Sequence, residues 1–335
     1  MGSTHLKALQ NIPRAELAAV VSEDAVKLSG DLSAIQGNIG GPGERFDFSQ
    51  VRRYRRIEDA LGDREIEAVD LCLPTYLHAP VAIRALEAGK HVLVEKPMAL
   101  TGEESGRMLD AARSAGRVLM VAQVLRFWPD YQPLLEMHAA GRLGAVRAAV
   151  FRRRCAAPAW GKWLEDPAKG GGGVFDLLIH DVDLCVHLFG IPSAVSATGY
   201  ENMAGGLDVI TAELHYPDAG SVIVTGGWHH PKSYPFSMEY TVSGDGGTLE
   251  YSSAGRRPVF YRQDGGSEEP ALPSRDGFQG ELEYFLDCAA ANRTPALCPP
   301  EESAAAVRLT RLMLEARSRG GERIPCQLSK ISKSA

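Results

Sequence analysis

Residues 68–100, AVDLCLPTYLHAPVAIRALEAGKHVLVEKPMAL, decide the fold. They open on an apolar run, Ala68–Pro74, and turn through Thr75–His78. A helix-type stretch with Gly89 as its stop follows, and a second apolar run, His91–Pro97, closes the unit. Strands that are apolar throughout and separated by a helix belong to a parallel sheet covered on both faces. Working outward, ELAAVVS (Glu16–Ser22) reads as an earlier strand and RVLMVAQ (Arg117–Gln123) as a later one. Between them TGEESGRMLDAARSAG (101–116) is a helix capped by Thr101, with Glu104 at the capping-box position. The first 124 residues therefore form a doubly wound α/β domain.

From about residue 145 the texture changes to strands in succession: AVRAAVFRRRC, AVSATGY, DVITAELHYP, GSVIVTGGW, SMEYTVSGDGGTLEY and PVFYR. GDGG is a hairpin signal. Residues 125–335 read as an α+β domain with a large, mostly antiparallel sheet, ending in the amphipathic helix EESAAAVRLTRLMLEARSRG. The segment 30–50, which contains GGPG, has neither a strand directly before it nor a helix opening from it, and reads as a surface loop rather than a phosphate loop. FRRRC and RRYRR (Arg52–Arg56) read as mostly solvated charge.

The chain has 335 residues, 44% hydrophobic and 23% charged, which suits a soluble two-domain protein. Its longest apolar runs are strand-length, so no membrane partner is expected, and no signal-peptide pattern opens the chain. A net charge of −6 argues against nucleic acid. Six scattered cysteines without a C-x-x-C pair indicate neither a zinc knuckle nor a disulfide framework, and point to a reducing cytoplasm.

The run GGGGVFDLLIHDVDLCVHLFG (170–190) carries the chemistry. Asp176, His180, Asp183 and His187 fall at i, i+4, i+7 and i+11 of an otherwise apolar helix, and so share one face. Buried ionisable groups must be paired or face a polar cleft. Three readings fit the stripe: an internal Asp–His network, a shared metal, or a general base, His180, oriented by a carboxylate. Nothing else in the chain supplies a matching ligand cluster, and no metal site is assigned. Glu95, Lys96 and Pro97 stand at the carboxyl end of a parallel strand, and Pro74, Thr75 and His78 at the end of its neighbour, the edge where doubly wound sheets bind ligands.

Together, E-K-P at a strand end, the preceding P-T-x-x-H turn and GGG-x-x-D-x-x-x-H-x-x-D resemble the glucose–fructose oxidoreductase / inositol dehydrogenase / MocA-type family over nearly the whole chain. The resemblance implies an NAD(P)-dependent oxidoreductase with a Rossmann-type dinucleotide-binding domain at 1–124. The α+β domain at 125–335 would bind substrate and mediate oligomerisation, with the final helix packing back toward the first domain. Lys96, Asp176 and His180 match the catalytic trio, and Glu95 and Pro97 complete the motif around the nicotinamide. Pro74, Thr75, His78 and Gln123 join the cofactor-binding set. On chemical grounds His180 is the base, Asp176 fixes its tautomer, and Lys96 donates to the substrate oxygen. Arg126, Trp160, Trp163, Lys169 and Asp183 are candidate substrate contacts, the tryptophans as a flat wall for a polyol or sugar or, equally, as cover for the domain core.

Family members open with a strand and G-x-G-x-x-G; here Gly2 matches the third glycine and STHLKAL the following helix. The reading is that Met1 is an internal methionine, that the central strand and most of the glycine loop are missing, and that dinucleotide binding by this chain is weak or absent. Ser22 occupies the place where an acidic residue often holds the adenosine ribose. With Glu23 and Asp24 beside it to repel a 2′-phosphate, NAD is favoured over NADP. The expected activity is oxidation of a secondary alcohol on a sugar, cyclitol or related hydroxy compound, by a homodimer or homotetramer. The alternatives are a glycosidase of the same family that uses bound NAD transiently, and a cofactor-less binding protein derived from it.

Overall fold

A computed structural model describes residues 1–35, 37, 43–158, 161 and 163–327. The first domain carries five parallel strands: β1 (Ala19–Val21), β2 (Arg52–Tyr54), β3 (Ala68–Leu71), β4 (His91–Glu95) and β5 (Leu119–Ala122). With them come helices α1 (Gly2–Leu9), α2 (Ala25–Leu28), α3 (Ile57–Leu61), α4 (His78–Glu87) and α5 (Gly102–Ala115). Every residue of β4 is buried, as the uniformly apolar run required. The α5 capping box forms, Glu104 N–H donating to Thr101 Oγ1 at 3.1 Å and Thr101 N–H to Glu104 Oε2 at 3.1 Å. Strand β2 lies within RRYRR, whose Arg53, Arg55 and Arg56 are exposed, so the charge is mostly solvated. Its Arg52 pairs with Asp63 and Glu65.

The parallel sheet comes in two pieces, β1–β2 and β3–β4–β5, and among the described residues no strand joins β1 to β3. Helix α1 bridges the pieces instead. Leu6 packs with Val20, Phe46 and Phe48 on one side. Ala8 packs with Leu93 and Met120 on the other.

The second domain holds α6 (Gln132–Ala139), β6 (Val146–Cys155), α7 (Pro167–Gly170), α8 (Gly173–Phe189), β7 (Ala194–Asn202) and β8 (Leu207–His215). There follow β9 (Ser221–Trp228), β10 (Ser237–Gly244), β11 (Gly247–Ser252), β12 (Arg256–Arg262), β13 (Ser267–Glu268), α9 (Gly277–Ala290), α10 (Pro300–Ser318) and β14 (Ile324–Pro325). The sheet order is β13-β12-β11-β10-β6-β9-β8-β7-β14, antiparallel except for β6 beside β9. The two-residue loop Asp245–Gly246 closes the β10–β11 hairpin where GDGG announced it. Helix α8 lies on β6, β8 and β9, and α10 packs on α8, β7 and α5.

One apolar core runs through both domains, joining Val94 and Met98 to Val174 and Leu178 of α8 and to Leu309 of α10. Each such buried aliphatic side chain contributes about 2 kcal/mol, so α8 is locked against the end of β4. Its first turn rests directly on Trp228: a Cβ on Gly173 would stand 2.5 Å from the indole. Only glycine permits that approach.

Candidate active site

Lys96 leaves β4 at its carboxyl end. Its backbone N–H donates to its neighbour Glu95 Oε2 at 3.0 Å, and the Lys96–Pro97 bond is cis. The Lys96 ammonium reaches across to α8 and donates to the Asp176 carbonyl and to Asp176 Oδ1, both at 3.0 Å. Asp176 sits in the first turn of α8, where the helix dipole favours a carboxylate. His180 follows one turn later on the same face, half-buried, with Nδ1 enclosed and unpartnered. Burial, then the Lys96 ammonium, then the Arg153 guanidinium push the imidazole well below its ordinary value, so His180 is neutral at physiological pH. Removing the Lys96 charge lifts one of these causes. In Lys96→Met, the His180 ring titrates at a higher pH by NMR than in the parent, while an unchanged titration would place Lys96 electrostatically remote.

The structure corrects one role. Asp176 makes no hydrogen bond to His180; its carboxylate is engaged by Lys96. It orients the lysine rather than the imidazole tautomer.

The rest of the stripe divides from this pair. Asp183 and Arg126 are not substrate contacts, because they are buried against each other. Arg126 Nε and Nη2 donate to the two Asp183 oxygens at 2.8 Å, and Nη1 donates to Glu302 Oε2 at 2.6 Å and to the Leu297 carbonyl at 3.0 Å. His187 Nδ1 lies 2.9 Å from the same Glu302 oxygen. Desolvation opposes the guanidinium charge, but Asp183 and Glu302 outweigh it and raise the Arg126 pKa. The stripe is thus both things at once, a cleft pair at one end and an internal network at the other.

His78 is also a correction. Its ring nitrogens face the carbonyls of Pro97 at 2.7 Å and Leu73 at 2.8 Å. It braces the turn onto the E-K-P segment and has no nitrogen left for a cofactor. Pro74 and the buried Thr75 form the turn beside it, and α7 packs against that turn. Gln123 ends β5 fully enclosed, its amide nitrogen and oxygen both unpartnered, which suits contact with a polar ring such as a nicotinamide amide. Ser22 stands directly after β1, where its Oγ accepts from Asp24 N–H at 3.2 Å. Trp163 packs with Cys155, Leu164, Leu177 and Trp228 beside the start of α8. Lys169 is exposed and pairs with Asp166 on α7 at 3.5 Å. Trp160 and residues 36 and 38–42 of the segment around GGPG lie outside the described residues.

Sequence reasoning missed two groups. Arg153, read as solvated, is buried and pairs bidentately with Asp181 of α8 at 2.8 and 3.1 Å; strand alternation placed it opposite Arg152 and Arg154, and that was the available signal. The second is a cluster under the E-K-P segment: His5 of α1 between Asp70 and Glu95, with Glu281 of α9 nearby. Burial pushes the unpartnered Glu281 carboxyl well above the carboxylate range.

For a dinucleotide, the polar atoms at Gln123, His180 and Lys96 fit the nicotinamide end. At the pyrophosphate end the described residues hold no strand and glycine loop leading into α1, which begins at Gly2. Residues 1–123 match the oxidoreductase family with an NAD-binding Rossmann fold, and residues 131–250 match the GFO/IDH/MocA C-terminal domain. The chain belongs to the Gfo/Idh/MocA oxidoreductase family. Among relatives of this Gfo/Idh/MocA chain, D-glucoside 3-dehydrogenase of Escherichia coli is 37% identical over 136 residues, 40% of this chain and 39% of that one. D-xylose 1-dehydrogenase (NADP(+)) 2 of Haloferax volcanii is 27% identical over 313 residues, 91% and 90% of the two chains. The crystal structure of aldose-aldose oxidoreductase from Caulobacter crescentus, complexed with glycerol, superposes with a TM-score of 0.76 at 25% identity over 92% and 91% of the chains. The matched stretch spans half or less of the length of the first curated relatives. No described helix is long and apolar enough to cross a membrane.

Proposed function

We propose that this Gfo/Idh/MocA chain transfers a hydride between a nicotinamide dinucleotide and a secondary alcohol of a sugar or cyclitol. The observation that supports the reading is the Lys96–Asp176 pair, built across the two domains with the neutral His180 one turn away. An ammonium has three N–H groups. Two are held by Asp176, and the third is free to donate to the substrate oxygen and stabilise developing alkoxide. His180, kept unprotonated by burial, accepts the hydroxyl proton. The bound nicotinamide supplies the hydride acceptor. The same class of substrate is named for the sugar dehydrogenases that this chain resembles.

The test is a panel of monosaccharides, glycosides and inositols, with the chain at millimolar NAD, followed by nicotinamide absorbance. Turnover of at least one member, lost in His180→Ala, is expected. No turnover across the panel where NADH binding is verified, or turnover indifferent to His180, overturns the proposal.

NAD is the favoured dinucleotide. Glu23 is exposed directly after β1 and Asp24 caps α2, and this acidic charge next to β1 supports a preference against a 2′-phosphate. One unit-charge repulsion near the surface is worth about 1 kcal/mol, so kcat/KM should favour NAD over NADP by roughly five-fold or more. Equal constants contradict this. The sheet face opposite α8 carries exposed Val150 and Tyr261 and supports a homodimer or homotetramer, which light scattering on the purified chain checks.

A further inference from the structure

Among the described residues, a group of potential metal-ligating atoms lies between α1 and the carboxyl end of β3. His5 Nδ1 is 2.8 Å from Asp70 Oδ2 and 3.5 Å from Cys72 Sγ, and Cys72 Sγ is 3.6 Å from Asp70 Oδ1. One ligand atom from each residue lies within 4.8 Å of the others. We infer that His5, Asp70 and Cys72 form a binding site for a zinc-class divalent ion.

The geometry suits the ion. Zinc bonds of about 2.3 Å to sulfur and about 2.0–2.2 Å to nitrogen and oxygen, arranged tetrahedrally, set S···N and S···O near 3.6 Å and N···O near 3.3 Å. The separations of Cys72 Sγ from His5 Nδ1 and from Asp70 Oδ1 already have these values, while the second Asp70 oxygen, Oδ2, must give up its 2.8 Å contact with His5 Nδ1 to the ion. The donor set of thiolate, imidazole and carboxylate is that of a borderline-soft ion rather than of calcium or magnesium. The other ring nitrogen of His5, Nε2, lies 3.1 Å from Glu95 Oε1. A ligating histidine commonly directs its second nitrogen to a carboxylate; here the 3.1 Å separation is an ion-pair contact without hydrogen-bond alignment, which ligation of Nδ1 would have to complete.

A second observation comes from α9, which packs on α1. Glu281 is fully buried with both carboxyl oxygens unpartnered, within electrostatic reach of His5, Glu95 and Asp70. Access exists from the side of Asp70, whose side chain is 33% exposed, so a fourth position remains for water. On binding, the ion displaces one proton from Cys72 Sγ and one from His5 Nδ1 to solvent. It would also tie α1 to the end of β3, the neighbourhood of the gap in the parallel sheet.

The experiment is titration of the chelator-stripped chain with cobalt(II), read by absorption, with zinc as competitor. It needs neither turnover nor a dinucleotide, so its result is independent of the redox reading. One equivalent of cobalt with a thiolate-to-metal charge-transfer band is expected, displaced by zinc. The band disappears in Cys72→Ser and survives in Cys326→Ser. Glu95→Gln weakens affinity about ten-fold or more. His5→Gln can disturb the packing of α1, so the Cys72 variant, at a half-exposed position, decides the matter. Absence of the band in the parent chain overturns the site and leaves His5 as a proton-bridged link between Asp70 and Glu95. A band that persists in Cys72→Ser overturns it equally.

Discussion

Lys96→Met lowers kcat/KM for sugar oxidation by about 10³-fold. The reason is geometric: Lys96 Nζ is the donor anchored at 3.0 Å by Asp176, with one N–H left for the substrate oxygen. Losing a preorganised donor to a developing oxyanion costs about 10²–10³ in rate. Here the variant also leaves the Asp176 carboxylate without its partner, a repulsive charge beside the forming alkoxide. Asp176→Asn separates the effects. It keeps a group able to accept from Lys96 but removes the charge, and its loss should be smaller than that of Lys96→Met. Steady-state kinetics at saturating NAD measures both, with circular dichroism to verify folding. A Lys96→Met enzyme within five-fold of the parent would remove Lys96 from the chemistry.

Asp183→Ala costs about 3–5 kcal/mol of stability, the range for breaking a buried ion pair by deleting one partner. Arg126 is 3% exposed, and the substitution leaves its guanidinium enclosed, with Glu302, the Leu297 carbonyl and the His187 ring as its remaining neighbours among the described hydrogen bonds. The network joins the end of β5 to α8 and α10, so the loss should appear as cooperative weakening of both domains in urea unfolding. Replacing both partners, as in Arg126→Met with Asp183→Leu, recovers most of the loss, because an apolar pair needs no desolvation. A single-variant loss below about 1 kcal/mol would mean that water already reaches the pair.

The α/β order of the first domain was legible because β4 and β5 are buried on both faces and such strands leave uninterrupted apolar runs, whereas β3, with its exposed Asp70, buries only Leu71 fully. The helical stripe was legible from spacing alone. Which half of it faces a cleft was not, because the deciding partners are distant in sequence. Lys96 lies 80 residues from Asp176. Arg126 lies 57 residues from Asp183. Glu302 lies 115 residues from His187. The His5–Asp70 contact, 65 residues apart, was invisible for the same reason. His78 misled in another way: a histidine at a ligand-binding edge looks available until its two backbone acceptors are seen. Short β1 was overestimated, since Glu16–Ser22 is apolar enough for a longer strand but only Ala19–Val21 pairs, with β2 alone on one side.

The most direct measurement is an NADH fluorescence titration of this 335-residue chain and of a variant with a strand and G-x-G-x-x-G loop placed ahead of Gly2. Lys96 and Asp176, proposed for the nicotinamide end, are paired, and among the described residues no strand joins β1 to β3. The extended variant should bind at least about 100-fold more tightly, the equivalent of about 2.7 kcal/mol. If neither protein binds NADH, the dehydrogenase reading of Lys96, Asp176 and His180 is wrong. If both bind equally, the gap in the sheet does not limit cofactor binding.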